Sequence, residues 1–328
     1  MQRRSFIQTA SATAATLALP ASWAQNLQNL PTGTVRIVVG FAPGGGTDIL
    51  ARVIGQKLAT MWNTTIVVEN KAGAAGMIAA DYVAKQPGDG TVLLMAHINS
   101  HAIAPALTPK MTYSVANDFS PISMVGITPN LLIGNDKQTA RTVKDIVALC
   151  KQNPGKISFG SAGNGSAQHL ALEMFKLAAG IDALHVPYKG SGPMLTDLIG
   201  GQINYSFDTM TAATPHVKGG KAIAIAQTRA KRAASYPNVP TIIESGFPGF
   251  EATTWYGLAG PGKMPAAMVK RMNEDINKVM AMPDVIEKFE QYGAEDGGGT
   301  PERFADFIRT EQQKWAKVIK DAKVSVDA

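Results

Sequence analysis

Val39-Gly40-Phe41-Ala42-Pro43-Gly44-Gly45-Gly46-Thr47-Asp48 decides the fold of this chain. It closes a short apolar run, residues 35–41, and opens a helical pattern, residues 49–61. A strand that feeds a turn without side chains at a helix N-terminus leaves N–H groups facing open space, with the positive helix end behind them. That is an anion cradle made of backbone. Gly160-Ser161-Ala162-Gly163-Asn164-Gly165-Ser166 repeats the design between an apolar run, 157–159, and a second helical pattern, 168–178. Two such cradles on separate parts of one chain point to a small anionic ligand held from both sides.

Outward from the first turn, strand and helix signals alternate: strand 35–41, helix 48–61, strand 65–69, helix 76–85, strand 91–95. This is the rhythm of a parallel sheet in an α/β fold. A long apolar segment, 122–134, precedes a second set: helix 142–153, strand 156–159, helix 167–179, strand 185–186, helix 193–200, and strands 204–207 and 223–228. After a turn-rich stretch, 235–249, residues 250–258 read as extended, and two helices, 266–280 and 301–321, finish the chain. The two extended segments bracket the second set, so the chain is expected to cross to a second lobe and return. Lobe one then comprises 25–127 with 254–328, and lobe two 128–253. A cleft lies between them, the crossing strands act as a hinge, and the closing helices pack on lobe one.

The first 24 residues read as a signal peptide: a charged start, a mildly apolar stretch at 10–19, and small residues up to Ala24, where cleavage is expected. Arg3-Arg4 also fits a twin-arginine signal. Loss of these two arginines lowers the formal charge from +6 to +4. The remaining cations are scattered, with no basic run, which disfavours nucleic acid. No other apolar stretch approaches the roughly twenty residues of a spanning helix. The single cysteine, Cys150, excludes an internal disulfide and reads as a buried small hydrophobe.

Ligands of open α/β sheets sit beyond the carboxyl ends of strands. At that edge the first turn offers the N–H groups of Gly44, Gly45, Gly46, Thr47 and Asp48, with Asp48 read mainly as a helix cap. The second offers Ser161, Asn164, Gly165 and Ser166, followed by His169, which is either a packed structural histidine or a ligand contact. A third loop, Val186-Pro187-Tyr188-Lys189-Gly190-Ser191-Gly192-Pro193, brings Lys189, a cleft cation or a solvated loop-tip lysine. At the end of strand 204–207, Asp208 orients a ligand ammonium or hydroxyl, or caps a helix over 211–216. Phe41, Tyr188 and Trp255 are candidates for an apolar wall, although Trp255 and Tyr256 serve equally as core.

Enzyme signals are thin. The turns lack the spaced glycines of a dinucleotide site. Gly257-Leu258-Ala259-Gly260-Pro261-Gly262-Lys263 has phosphate-loop spacing, but Met264 stands where a magnesium-binding hydroxyl is needed. His97 and His101 have a metal-compatible spacing only on a helix, and their place after a strand reads as coincidence. No serine sits in a nucleophile elbow. No catalytic residue, metal or cofactor is expected.

Together the turns resemble the Bug-type extracytoplasmic solute receptors, the TctC-like substrate-binding proteins of tripartite tricarboxylate transporters. The likeness rests on residues 39–48, on Val68-Glu69-Asn70-Lys71-Ala72-Gly73-Ala74-Ala75-Gly76, on 160–170, on Val186-Pro187-Tyr188-Lys189-Gly190, on Asp208 and on Val239-Pro240-Thr241. It implies a two-lobed periplasmic-binding-protein fold of type II topology, with a ligand carboxylate held by backbone and water contacts from both lobes. It implies a periplasmic monomer that delivers a carboxylate to the membrane subunits of such a transporter. The chain departs from the family in its less glycine-rich residues 74–77 and in the histidines of 97–101. His97 or His101 facing the cleft would engage a second carboxylate, so a dicarboxylate, aromatic or aliphatic, is expected. The competing readings are an exported enzyme acting on a carboxylate and a sensing module for a signalling receptor.

Overall fold

The structure, a computed structural model, describes residues 29–108 and 110–321. The expected signal peptide and its cleavage position lie outside the described residues. Strands β1 (Val35–Val39), β2 (Ile66–Asn70) and β3 (Val92–His97) are parallel, with β1 in the middle. Helices α1 (Gly46–Trp62) and α2 (Met77–Ala84) make the crossovers. Ile37 and Val39 pack with Leu50, Ile54 and Leu58 of α1, whereas Val38 packs with Ala80 and Val83 of α2. A strand covered on both faces needs a continuous apolar run, which is what β1 supplies.

β3 continues into a wide π-helical turn, Asn99–Ile103, and the short α3 (Ala104–Leu107). The residues after His97 are therefore helical, contrary to the expectation from their place after a strand, while His97 itself ends β3. Next comes β4 (Phe119–Asn135), antiparallel to β9 (Thr253–Pro261) along most of its length. The second set holds α4 (Val143–Gln152), β5 (Ser158–Ser161), α5 (Ala167–Ala179), β6 (Leu184–Pro187), α6 (Ser191–Gly200), β7 (Tyr205–Thr209), α7 (Met210–Lys218) and β8 (Ala222–Gln227). The strands follow the order β2-β1-β3-β9-β4-β7-β5-β6, with β8 also on β4. Thus β2-β1-β3 with β9 form the sheet of the first lobe and β7-β5-β6 with β8 that of the second, and β4 runs through both. Register slips at Pro121/Ser123, Met124/Gly126 and Leu132/Ile133 bend β4 so that one strand serves two sheets.

Three helices close the chain rather than two: α8 (Ala266–Met280), α9 (Pro283–Gln291) and α10 (Pro301–Asp321). The sequence reading missed α9 because only Val285 and Phe289 of its charged length are buried. The closing helices pack on the first lobe: Asn273 Nδ2 donates to the Ile122 carbonyl (2.7 Å) and Gln312 Nε2 to that of His101 (2.8 Å). Trp255 is fully buried between Phe304 and Phe307, each 5.7 Å away between ring centroids, so it belongs to the core and not to a ligand wall. Cys150 lies on the buried face of α4 among apolar residues, and burial pushes its thiol up to about 11.

Candidate ligand site between the lobes

The first turn keeps its backbone open. Gly45 caps α1 without any side-chain hydrogen bond, and the N–H groups of Gly46 and Thr47, in the first helical turn, have no acceptor among the described residues. The Asp48 carboxylate is occupied: it accepts from Gly44 N–H (3.1 Å), from Arg52 Nε and Nη2 (3.0 and 2.8 Å) and from Asn70 Nδ2 (3.0 Å). Burial opposes the charge, but these donors hold the carboxyl below its ordinary value. Asn70 Nδ2 also donates to the Phe41 carbonyl (2.9 Å). Asp48 therefore fixes the loop's shape, and Gly44 spends its N–H on that task.

The second turn, with the same glycine pattern, is closed upon itself. Gly163 N–H donates to Ser161 Oγ (3.1 Å), Gly165 N–H to His169 Nδ1 (3.1 Å) and Ser166 N–H to the Gly163 carbonyl (3.1 Å). Ser166 Oγ caps α5 by accepting from His169 N–H (3.2 Å). Ser161 Oγ lies 2.6 Å from His185 Nε2, and the His185 ring stacks on His169 with centroids 3.9 Å apart. Burial lowers both histidines, His185 to about 3, so both are neutral. His169 is thus a structural part of the turn. Asn164 alone projects to solvent.

The third loop seats against the first across the cleft. Ala42 N–H donates to the Lys189 carbonyl (3.1 Å). Gly190, at φ 136°, lies so near that a Cβ there would sit 3.0 Å from Ala42 N, a place only glycine fills. The Lys189 side chain is exposed, and Tyr188 donates to Asp197 Oδ2 (2.7 Å). Gly46 meets the second lobe as closely, since a Cβ on it would sit 2.9 Å from Thr209 Oγ1 and 3.1 Å from the Thr211 Cβ, and it would also collide with the Tyr256 hydroxyl of its own lobe.

Behind these loops lies a buried polar cluster. Asp208 Oδ1 accepts from Ser191 Oγ (2.5 Å) and from Thr209 N–H (2.8 Å), while Oδ2 has no partner. Burial raises Asp208 to about 7, and the Gln168 amide stands near enough to lower it without completing a hydrogen bond to Oδ2. Gln168 Oε1, the Tyr256 hydroxyl and Asn99 Nδ2 are also buried and unpartnered. Buried polar atoms in native proteins are rarely left so, and a group of them facing one interface marks a place for a guest.

His97 joins this region: its ring lies 4.8 Å from that of Phe41 and 5.3 Å from that of Tyr256. Its Nδ1 accepts from Asn99 N–H (3.2 Å), which places the ring proton on Nε2, and burial lowers its pKa to about 3. His97 is a neutral donor and not a cation. His101 turns away, packing on Phe119 with Nδ1 3.0 Å from Ser100 Oγ. The two histidines face different surroundings, and among the described residues no three His, Cys, Asp or Glu gather as a metal site.

A cavity of about 270 Å³ opens between the lobes, lined by Phe41, Gly73–Ala75, Ala162–Asn164 and Pro187–Lys189. Larger hollows exist elsewhere, of about 330, 500 and 610 Å³. The largest is an open groove beside Leu177 and Phe247, with neither glycine turn in its lining. Size does not decide here: only the smallest of the four is lined both by the segment that leads into the first glycine turn and by the second glycine turn itself. Sequence reasoning missed Asn99, Gln168, Ser191 and Tyr256 as site residues. The available signal was a polar residue interrupting an apolar run, as Asn99 does after residues 92–98.

A family model described as tripartite tricarboxylate transporter family receptor (TctC) matches residues 50–324. The chain is 35% identical over 292 residues to Protein BugT of Bordetella pertussis, covering 89% of this chain and 90% of that one. Among solved structures it is similar to the R. palustris protein Rpa4515 with adipate, with a TM-score of 0.87 and 34% identity, over 90% of this chain and 99% of that one. It is also similar to MatC from Rhodopseudomonas palustris with bound malate, with a TM-score of 0.83 and 30% identity, over 88% of this chain and 100% of that one.

Proposed function

Because this chain belongs to the TctC, or Bug, family of periplasmic solute-binding receptors, which are binding proteins and not enzymes, we propose that it captures a small aliphatic dicarboxylate. It closes around that ligand and delivers it, as an exported monomer cleaved after Ala24, to the membrane subunits of a tripartite tricarboxylate transporter. Residues 25–127 with 254–328 move as one body and 128–253 as the other. The observation that carries this reading is the interlobe site itself: open N–H groups of Gly46 and Thr47 in the first lobe, beside unpartnered buried polar atoms contributed by both lobes.

One ligand carboxylate takes the N–H groups at the start of α1, where the helix end favours negative charge. The other takes neutral donors, His97 Nε2–H and the Asp208 carboxyl, which carries a proton once an anion lies beside it. The malate bound to MatC and the adipate bound to Rpa4515 are acids of this class. Contacts made only when both lobes touch the ligand favour the closed form.

A thermal-shift and calorimetric screen of C4 to C8 dicarboxylates on the mature protein tests the proposal. A ligand bound only by the folded form raises Tm in proportion to the logarithm of its concentration. Absence of heat and of any Tm rise from every acid in the panel overturns it. Co-purification with membrane subunits tests the delivery step separately.

A further inference from the structure

We infer that Asn99 is the residue that couples ligand occupancy to lobe closure: its amide oxygen latches the second lobe and its amide nitrogen is presented to the ligand. The inference deepens the reading above, since it supposes that the guest offers an acceptor oxygen.

Asn99 stands on the π-helical turn that follows β3, in the first lobe, and is 1% exposed. Its Oδ1 accepts from the N–H of Ala167, the first residue of α5 in the second lobe, at 2.9 Å. The other N–H groups of that turn with acceptors, those of Gly163, Gly165 and Ser166, find them within the second lobe. Ala167 alone looks across the cleft for its acceptor, so this bond exists only while the lobes are together. The same side chain has a second face: Nδ2 is buried and without a partner.

Those two facts make opposite demands. Closure forms the Asn99–Ala167 bond but seals Nδ2 from water. In the open form, water serves both ends of the amide. An acceptor supplied by a bound carboxylate satisfies Nδ2 and makes closure favourable without loss. Empty closure leaves a buried donor unmet. Asn99 thereby reports occupancy to the lobe interface through one rigid amide, whose two ends cannot be oriented independently. The wide turn beneath it is the kind of helical irregularity that recurs at functional positions.

The test measures lobe separation by energy transfer between dyes on exposed positions of the two lobes, and affinity by calorimetry, with adipate as the probe. Asn99→Ala removes both ends. With saturating adipate it has a larger mean lobe separation than the parent, and its adipate affinity falls at least tenfold. Asn99→Asp keeps an acceptor for Ala167 N–H but replaces the donor with an oxygen. It remains as closed as the parent without ligand, and its adipate affinity falls further than that of the alanine variant. A merely structural role moves Tm in both variants and does not separate the two readouts in this way. Equal lobe separation in the parent and Asn99→Ala at saturating adipate overturns the latch. Equal adipate affinity in the parent and Asn99→Asp overturns the donor role. If the parent itself binds no adipate or other panel acid, the dicarboxylate reading fails and both roles of Asn99 fail with it.

Discussion

The turns at 43–48 and 160–166 look alike in sequence and behave differently in the structure. The first leaves the N–H groups of Gly46 and Thr47 free and uses the Asp48 carboxylate only to brace the loop. The second consumes its own donors, through Ser161, His169 and the Gly163 carbonyl. Glycine spacing makes a cradle possible. Whether the cradle stays open depends on what acceptors stand beside it. A turn with Gly-Gly-Gly at its centre has none of its own, whereas one interleaved with serine and followed by histidine supplies them. The first turn is therefore suited to gripping an anion and the second to serving as a rigid wall against which closure occurs.

The sharpest way to break that contrast is Gly46→Ala. The new methyl meets Thr209 Oγ1 and the Thr211 Cβ of the second lobe when the lobes are together, and it collides with the Tyr256 hydroxyl of its own lobe in either form, so that Tyr256 has to shift. Dicarboxylate affinity is expected to fall at least ~100-fold, about 2.7 kcal/mol, with Tm of the unliganded protein changed by only a few degrees. Calorimetry and a melting curve on one sample read both. In the wall, Ser161→Ala removes the acceptor of Gly163 N–H and the partner of His185. Its effect is expected on stability, about 1–2 kcal/mol in urea unfolding, with a smaller loss of affinity.

Much of this contrast was not legible beforehand. The alternation of apolar runs and turns revealed the α/β order, the paired crossing strands and even the bounds of α5 and α8, because those elements bury regular faces. The glycine turns were found for the same reason, as breaks in that pattern. The sequence was silent on how side chains from distant segments meet. Asn99 lies 68 residues from Ala167, and no local rule joins them. Likewise Ser161 and His185, or Gln168 and Asp208, become neighbours only through parallel pairing of β5 with β6 and β7. His101 shows the converse: its spacing from His97 suggested a shared role, and the π turn sends the two rings to different places.

Acid sharpens the comparison further. His97, His101 and His185 are depressed to about 3 by burial, and His169 is lowered too. For such groups the unfolded chain takes protons first, so stability is present above about pH 6.5 and is lost as pH falls below it, by up to ~1.4 kcal/mol per pH unit for each histidine. Asp208, raised to about 7, works in the opposite sense, holding a proton in the folded state and losing stability as pH rises from about 4 toward 7. Four groups outweigh one, so unfolding free energy should be lower at pH 5 than at pH 7. Asp208→Asn should widen that difference, as urea titrations at the two pH values would reveal. The smallest effect belongs to Lys189→Gln. Its exposed charge at the cavity rim steers arriving anions, so the association rate should fall less than about threefold, and less still at high salt.

The most direct measurement follows the backbone amides themselves. In a ¹⁵N-labelled sample titrated with adipate, the account predicts large downfield proton shifts for Gly46 and Thr47, as their N–H groups gain a charged acceptor, and little change for Gly163, Gly165 and Ser166. Large shifts in the second turn, with Gly46 and Thr47 unmoved, would contradict it.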